Sequence, residues 1–350
     1  MSEPRTEIST LGEFGLIRHL TRNIELQNAS SLVGVGDDAA VIDHFGKQTV
    51  VTSDLLLEGV HFDLTYTPLK HLGYKSVVVN LSDVYAMNAT PTQIILSIGV
   101  SNRFSVEALE EFYEGVYAAC DKYGVDLVGG DTTSSRSGLV ISLTALGEVS
   151  PDRFVRRDTA RQGDLICVTG DLGAAYVGLL FLEREKKIFL EHPEVQPDLE
   201  GESYVIGRLL KPEARRDIIE FFSQQQLRPT AMMDISDGLS SEVLHLCEDS
   251  RLGCVLYEEK LPIAEATRLA AFKFQLDPTA CALSGGEDYE LVFTVSQEDY
   301  DLIKDNEQIS PVGYMTAPEE GRHIITKGGS RHALTAQGWN HYQRGNQPTS

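Results

Sequence analysis

The 350-residue chain is long enough for two α/β-sized domains, each burying its own core. Its 42% hydrophobic and 23% charged content is that of a soluble globular protein. With 30 basic and 52 acidic side chains, the formal charge of −22 argues against nucleic acid or an anionic membrane as partner, but not against a phosphorylated substrate carried with Mg2+.

The cysteines, Cys120, Cys167, Cys247, Cys254 and Cys281, are odd in number and form no C-x-x-C pair. Reduced core thiols are therefore expected, rather than a disulfide frame or a zinc knuckle. Met1 to Leu16 lacks the apolar run of a signal peptide and no segment reaches transmembrane length, so a cytoplasmic location is expected.

Gly12 to Leu20 reads as a helix leading into Gly34-Val35-Gly36-Asp37-Asp38. Ala39 to Asp43 and Gln48 to Ser53 read as strands around the turn His44-Phe45-Gly46-Lys47. If they pair through a four-residue loop, Asp37 faces Asp54 and Asp38 faces Ser53. Carboxylates gathered this closely resist ionising together, which implies a hard cation such as Mg2+. Gly34-x-Gly36-x-x-Ala39 also fits a dinucleotide fingerprint, but aspartates at its middle positions would repel a pyrophosphate, and that reading is rejected. Taken alone, Asp37-Asp38 is better read as an acidic surface turn; further carboxylates at strand and helix ends shift the balance.

His61, in a glycine-softened loop after Asp54, is a candidate substrate contact by position only. Leu69 to Ala89 has helical periodicity, with Ser76, Asn80 and Asp83 on one polar stripe, and Asp83 is favoured as a metal ligand over a surface charge. Ile94 to Val100 is a strand, and Ser105 caps a helix with apolar residues Leu109, Phe112, Val116, Ala119 and Tyr123, closed by Gly124. The strand Val125 to Val128 runs into Gly129-Gly130-Asp131, with the aspartate at its carboxyl end, and Leu139 to Leu146 closes a first domain, 1–150.

The second domain, 151–350, opens on Arg153, Arg156, Arg157 and Arg161, a solvated patch or a connection to the domain interface, and in a nucleotide enzyme natural phosphate clamps. Asp164 to Thr169 is a strand, Ala174 to Arg184 a helix, and Glu191 to Glu202 an acidic loop without a role. A helix follows Lys211-Pro212 through Phe222. The strand Thr230 to Met233 leads to Asp234-Ile235-Ser236-Asp237-Gly238, where a Ser or Asp cap before free backbone N–H groups suits a phosphate. Leu283-Ser284-Gly285-Gly286-Glu287-Asp288, a bulge or a second ligand loop, precedes an alternating strand, Tyr289 to Val295. Trp339 serves packing or binding equally well, and the tail 344–350 is expected to be disordered.

The motifs G-V-G-D-D-A-A-V, T-S-D-x-L-x-E-G-V-H-F, Y-K-S-V-V-V-N-L-S-D-V-Y-A-M, V-G-G-D-T-T, M-D-I-S-D-G-L and L-S-G-G-E-D-Y-E-L, in this order across residues 11–343, resemble the thiamine-monophosphate kinase family. The resemblance implies ATP-dependent phosphorylation of thiamine monophosphate to thiamine diphosphate by direct in-line transfer. It implies that Asp38, Thr52, Ser53, Asp54, Asp83, Asp131, Asp234 and Asp237, supported by Asp37, hold several Mg2+ ions, with Asp54, Asp83 and Asp131 catalytic. Tyr113, Gly130, Arg157 and Ser236 would contact ATP, and His61, Glu287 and Trp339 the thiamine phosphate.

The implied fold is two α/β domains of the aminoimidazole-ribonucleotide-synthetase type, the first forming a β-barrel across a homodimer interface. Leu210-Lys211-Pro212 departs from the family's usual arginine before the proline, and no phosphate role is assigned there. Two other readings stand beside this one: a related ATP-dependent synthetase acting on another acceptor, and a non-catalytic divalent-metal module. Spread of the carboxylates over six segments, without EF-hand spacing, weighs against the module.

Overall fold

The computed structural model describes Leu16 and residues 19–33 and 41–336. Asp37, Asp38 and Trp339, and most of the helix expected over 12–20, lie outside the described residues.

Strands β1 (Ser31–Val33) and β2 (Val41–Ile42) pair antiparallel, Ser31 with Ile42. Among the described residues the expected β2–β3 hairpin does not form. The turn is present, with Lys47 N donating to His44 O at 3.1 Å. Beyond it, however, β3 (Gln48–Leu57) pairs along all ten residues with β6 (Val140–Val149).

The four-stranded sheet runs β3-β6-β4-β5, with β4 at Thr90–Val100 and β5 at Asp126–Ser134. β4 and β5 are parallel, so a crossover must join them, and α2 (Val106–Tyr123) supplies it. Ser105 Oγ accepts from Ala108 N at 3.3 Å, and Gly124 ends the helix at φ 68°. β5 is longer than expected: Gly129, Gly130 and Asp131 lie within it rather than beyond it.

Helix α1 (Leu69–Ala86) crosses α2 at glycines. A Cβ on Gly73 would lie 1.9 Å from Phe112 O, and one on Gly115 1.9 Å from Lys70 O. Backbone, not a side-chain tip, stands in the way. Gly115→Ala is accordingly expected to cost at least about 2 kcal/mol, read as a lower urea midpoint.

A seven-stranded sheet follows, in the order β13-β12-β9-β11-β7-β10-β8. Its strands are β7 (Leu165–Thr169), β8 (Ala231–Ile235), β9 (Gly253–Tyr257), β10 (Glu290–Val295), β11 (Ile309–Thr316), β12 (Arg322–Ile325) and β13 (Arg331–Ala333). Around it lie α3 (Ala174–Glu191), α4 (Ser203–Leu210), α5 (Arg216–Gln224), α6 (Leu239–Asp249), α7 (Glu265–Lys273), α8 (Pro278–Ser284) and α9 (Tyr300–Ile303).

β10, expected as an alternating strand, is buried at every residue. Its alternation instead divides two cores. Leu291, Phe293 and Val295 enter the cluster that also holds Leu72 and Phe112, while Val292 enters the one behind β8 and β9. All five cysteines are buried free thiols, as expected. Among the described residues no helix is long and apolar enough to cross a membrane.

Candidate active site

The polar stripe of α1 lies in the interior: Ser76 and Asn80 are buried and Asp83 is half-buried. Each polar group has work there. Asn80 Oδ1 accepts from Asp54 N at 3.1 Å, while Asn80 Nδ2 donates to Ser76 O at 3.1 Å. One turn on, Asp83 Oδ2 accepts from Thr52 Oγ1 at 2.7 Å. Ser82, on the neighbouring helix position, donates to Asp234 Oδ2 at 2.8 Å. Thus α1 draws Asp54 from β3 and Asp234 from β8 towards its own Asp83.

The charge of Asp83 loads the other two carboxylates. Burial, then the Asp83 charge, raises Asp54 from 3.8 to about 6. Burial, then Asp83 and Asp54, raises Asp234 to about 7 against the Ser82 hydrogen bond. Asp83 is raised by burial, opposed by the Thr52 hydroxyl and the Arg157 charge. Next to them opens a cavity of about 710 Å³, lined among others by Thr52, Asp83, Met87, Phe154, Arg157 and Asp234. That volume suits a nucleotide-sized ligand. Of the arginine cluster, Arg157 faces this space; Arg156 pairs with Asp158, and Arg153 donates to Leu227 O at 3.3 Å.

Other expected residues stand elsewhere. Ser53 points to the opposite face of β3, its Oγ hydrogen-bonded to Thr144 Oγ1 at 2.9 Å and Leu143 O at 3.2 Å. Side chains alternate along a strand, so Thr52 and Asp54 can share a face and Ser53 cannot. Tyr113 is buried in the helix layer, edge-on to Phe112 and Tyr117. Gly130 and Asp131 sit exposed on β5, with Asp131 Oδ1 accepting from Thr132 N at 2.9 Å.

Ser236 and Asp237 are exposed just past Asp234, but neither side chain caps α6. Gly238 takes the cap position at φ 115°, and Glu242 Oε1 instead accepts from Asp237 N at 2.9 Å. Glu287 N donates to Ser236 O at 2.8 Å, and Glu287 and Tyr289 both have left-handed backbone, φ 71° and 52°. Strain of this kind gathers where a loop must present a side chain. His61 Nδ1 accepts from Leu57 N at 3.0 Å, which leaves the neutral ring's proton on Nε2.

Sequence reasoning assigned no role to Lys75, Ser82 or Glu242. Glu242 is buried, with its Oε2 lacking a hydrogen-bond partner and its carboxyl raised to about 8 by burial. The signal for Lys75 and Glu242 was a charge placed in an apolar helical stretch.

Among the described residues no group of three or more His, Cys, Asp or Glu forms a ready metal cage. The chemistry of the donors nevertheless fits Mg2+. Asp54, Asp83 and Asp234 are hard oxygen donors whose mutual repulsion a divalent ion would relieve.

Comparison with known proteins decides the family. The chain is 35% identical to the thiamine-monophosphate kinase of Aquifex aeolicus, covering 96% of this chain and 99% of that protein. It belongs to the thiamine-monophosphate kinase family. The Bacillus subtilis family member is 32% identical, covering 95% of this chain and 100% of its own. A family profile, AIR synthase related protein, N-terminal domain, matches residues 36–149. A solved structure described as AaThiL complexed with AMPPCP and TMP superposes with a TM-score of 0.72 at 32% identity, covering 97% of this chain and 100% of that one. A hydrogenase maturation protein, HypE, in complex with ATP reaches a TM-score of 0.72 at 19% identity, a likeness of fold alone. For the thiamine-monophosphate kinase family, then, the buried acids and their cavity are the natural place to look for phosphoryl transfer.

Proposed function

We infer that this chain is a thiamine-monophosphate kinase, transferring the γ-phosphoryl group of ATP to the phosphate of thiamine monophosphate and yielding thiamine diphosphate and ADP. The observation that carries this is the Asp54, Asp83 and Asp234 group beside a nucleotide-sized cavity, in a chain whose family includes a member crystallised with AMPPCP and TMP. The acceptor oxygen is already ionised, so no general base is required. Arg157, opening onto the cavity, serves the donor phosphates, with Ser236 and Gly130 as further nucleotide contacts. His61, Glu287 and Trp339 serve the acceptor.

Asp54, Asp83 and Asp234, with Asp37, Asp38, Thr52, Asp131 and Asp237, would hold Mg2+. When bound, Mg2+ neutralises phosphate charge and stabilises the charge growing on the leaving oxygen. The chain's own part is rigidity: Asn80 fixes the Asp54 backbone, while Thr52 and Ser82 orient Asp83 and Asp234. Residues 1–150 form the nucleotide, metal and dimerisation domain of this reading and 151–350 the second α/β domain. Buried free thiols suit a cytoplasmic location.

A homodimer is part of the proposal because one chain does not bring Asp131 to Asp54. Asp131 pairs with Ser97, Ser97 with Ser142, and Ser142 with Leu55. Three strand spacings therefore separate β5 from β3, about 14 Å. The sheet face turned away from α1 exposes Val51 at 59% and Leu55 at 52%. Closing two such faces into a barrel would cover them and set the β5 edge of a second copy beside β3. Val51→Glu with Leu55→Glu is expected to give a monomer in sedimentation and to lower turnover by about 100-fold or more. A fully active monomer would overturn the dimer.

The whole reading is tested by following ADP and thiamine diphosphate formation from ATP, Mg2+ and thiamine monophosphate, with free thiamine as control. Thiamine diphosphate from the monophosphate alone is expected. ADP without it would point to a different acceptor, and neither product would overturn the kinase.

A further inference from the structure

Lys75 is the one buried lysine among the described residues, 7% exposed, on a helix that otherwise reaches the two sheets through neutral or acidic groups. Its ammonium pairs with Glu287, whose side chain remains 33% exposed. Burying an ammonium is costly unless a partner compensates it, so this placement has a reason beyond packing.

Neither Lys75 nor Glu287 lines the nucleotide-sized cavity. Tyr289, buried two residues after Glu287, has its hydroxyl held protonated by burial and by the charges of Glu287, Asp234, Asp54 and Asp83. One buried hydroxyl is thus within electrostatic reach of both Glu287 and the three aspartates. Lys75 does not line the cavity that Arg157 faces, and it lies eight residues before Asp83 on α1, about 12 Å along the axis. Arg157 thus faces the cavity, while Lys75 lies outside it and pairs with a carboxylate that shares the neighbourhood of Tyr289 with the buried acids. A transfer between two phosphates needs a positive group on each side of the reacting centre.

The partner of Lys75 also matches the acceptor. Thiamine monophosphate carries a cationic ring system at one end and a phosphate at the other. Lys75 and Glu287 present the complementary charges, satisfied by one another. Resting on the kinase reading above, we propose that Lys75 binds the phosphate of the acceptor. It exchanges Glu287 for that phosphate as the cationic end of the acceptor takes its place on Glu287. Both charges stay paired throughout, so neither is left buried alone.

The test compares thiamine monophosphate with free thiamine by calorimetry on the full chain, together with KM for ATP. In Lys75→Met the affinity for thiamine monophosphate is expected to fall about 10- to 100-fold, that for thiamine to hold, and KM for ATP to hold. Lys75→Arg, which keeps the charge, should recover part of the loss. Glu287→Gln should weaken both ligands alike. An unchanged preference for the monophosphate in folded Lys75→Met, or equal loss of both ligands, overturns the assignment; should Lys75→Met fail to fold, full affinity for the monophosphate in Lys75→Gln overturns it as well. An unaltered chain that does not prefer the monophosphate overturns the kinase reading along with it.

Discussion

Asp54→Asn is expected to lower thiamine diphosphate formation by about 1,000-fold or more while leaving the protein folded. The amide keeps the shape of the carboxyl, and the structural hydrogen bond at this residue comes from its backbone N–H to Asn80, which the substitution does not touch. What is lost is the charge facing Asp83.

The same charge gives the variant a second signature, in stability. Asp54 is raised from 3.8 to about 6, so the folded chain holds a proton that the unfolded chain releases between those values. In the absence of divalent ions, stability therefore falls as pH rises through that window, and the whole penalty, on the order of 2 kcal/mol, is present above it. Asp54→Asn should flatten this slope and match or exceed the parent near pH 8, whereas added Mg2+ should stabilise the parent more. Urea unfolding at pH 5 and pH 8, with and without Mg2+, reads all three effects. Near-parental turnover in the folded variant would remove Asp54 from the centre.

Glu290→Gln should be the most damaging change to the fold, at about 3–5 kcal/mol. Glu290 is 2% exposed and takes Arg215 at 2.6 Å on one oxygen and Arg208 at 2.9 Å on the other. Thr169 Oγ1 adds a third donor at 2.6 Å and itself accepts from Leu291 N at 2.8 Å. Losing the charge leaves two guanidiniums gathered around an amide that can satisfy neither fully. A loss under about 1 kcal/mol in urea unfolding would mean that Asp217 and Asp171 already neutralise them.

Much of this was legible in the sequence. Helical spacing put Ser76, Asn80 and Asp83 on one face, and Ser105 and Gly124 marked the ends of α2. Aspartates at element ends pointed to Asp54 and Asp234. What was hidden depended on pairings between distant segments. Nothing near Gln48 says that its strand will pair with one ending at Val149, and nothing near Asp131 says that β5 lies three strands from β3. Ser53 was misplaced although strand alternation alone separates it from Thr52 and Asp54. Lys75 passed without a role because a lysine in a helix ordinarily reaches solvent, and its burial comes from a loop 212 residues away.

Lys75, Asn80, Ser82 and Asp83 ride on one helix and reach Glu287, β3, Asp234 and Thr52 respectively. Their separations are therefore set by the pitch of α1, a ruler that neither loop length nor sheet curvature can easily stretch. Each residue turns the helix by about 100°, so deleting a single residue between 76 and 79 would swing Lys75 a quarter turn or more away from the register of the others. The stretch from 75 to 83 therefore has one workable length.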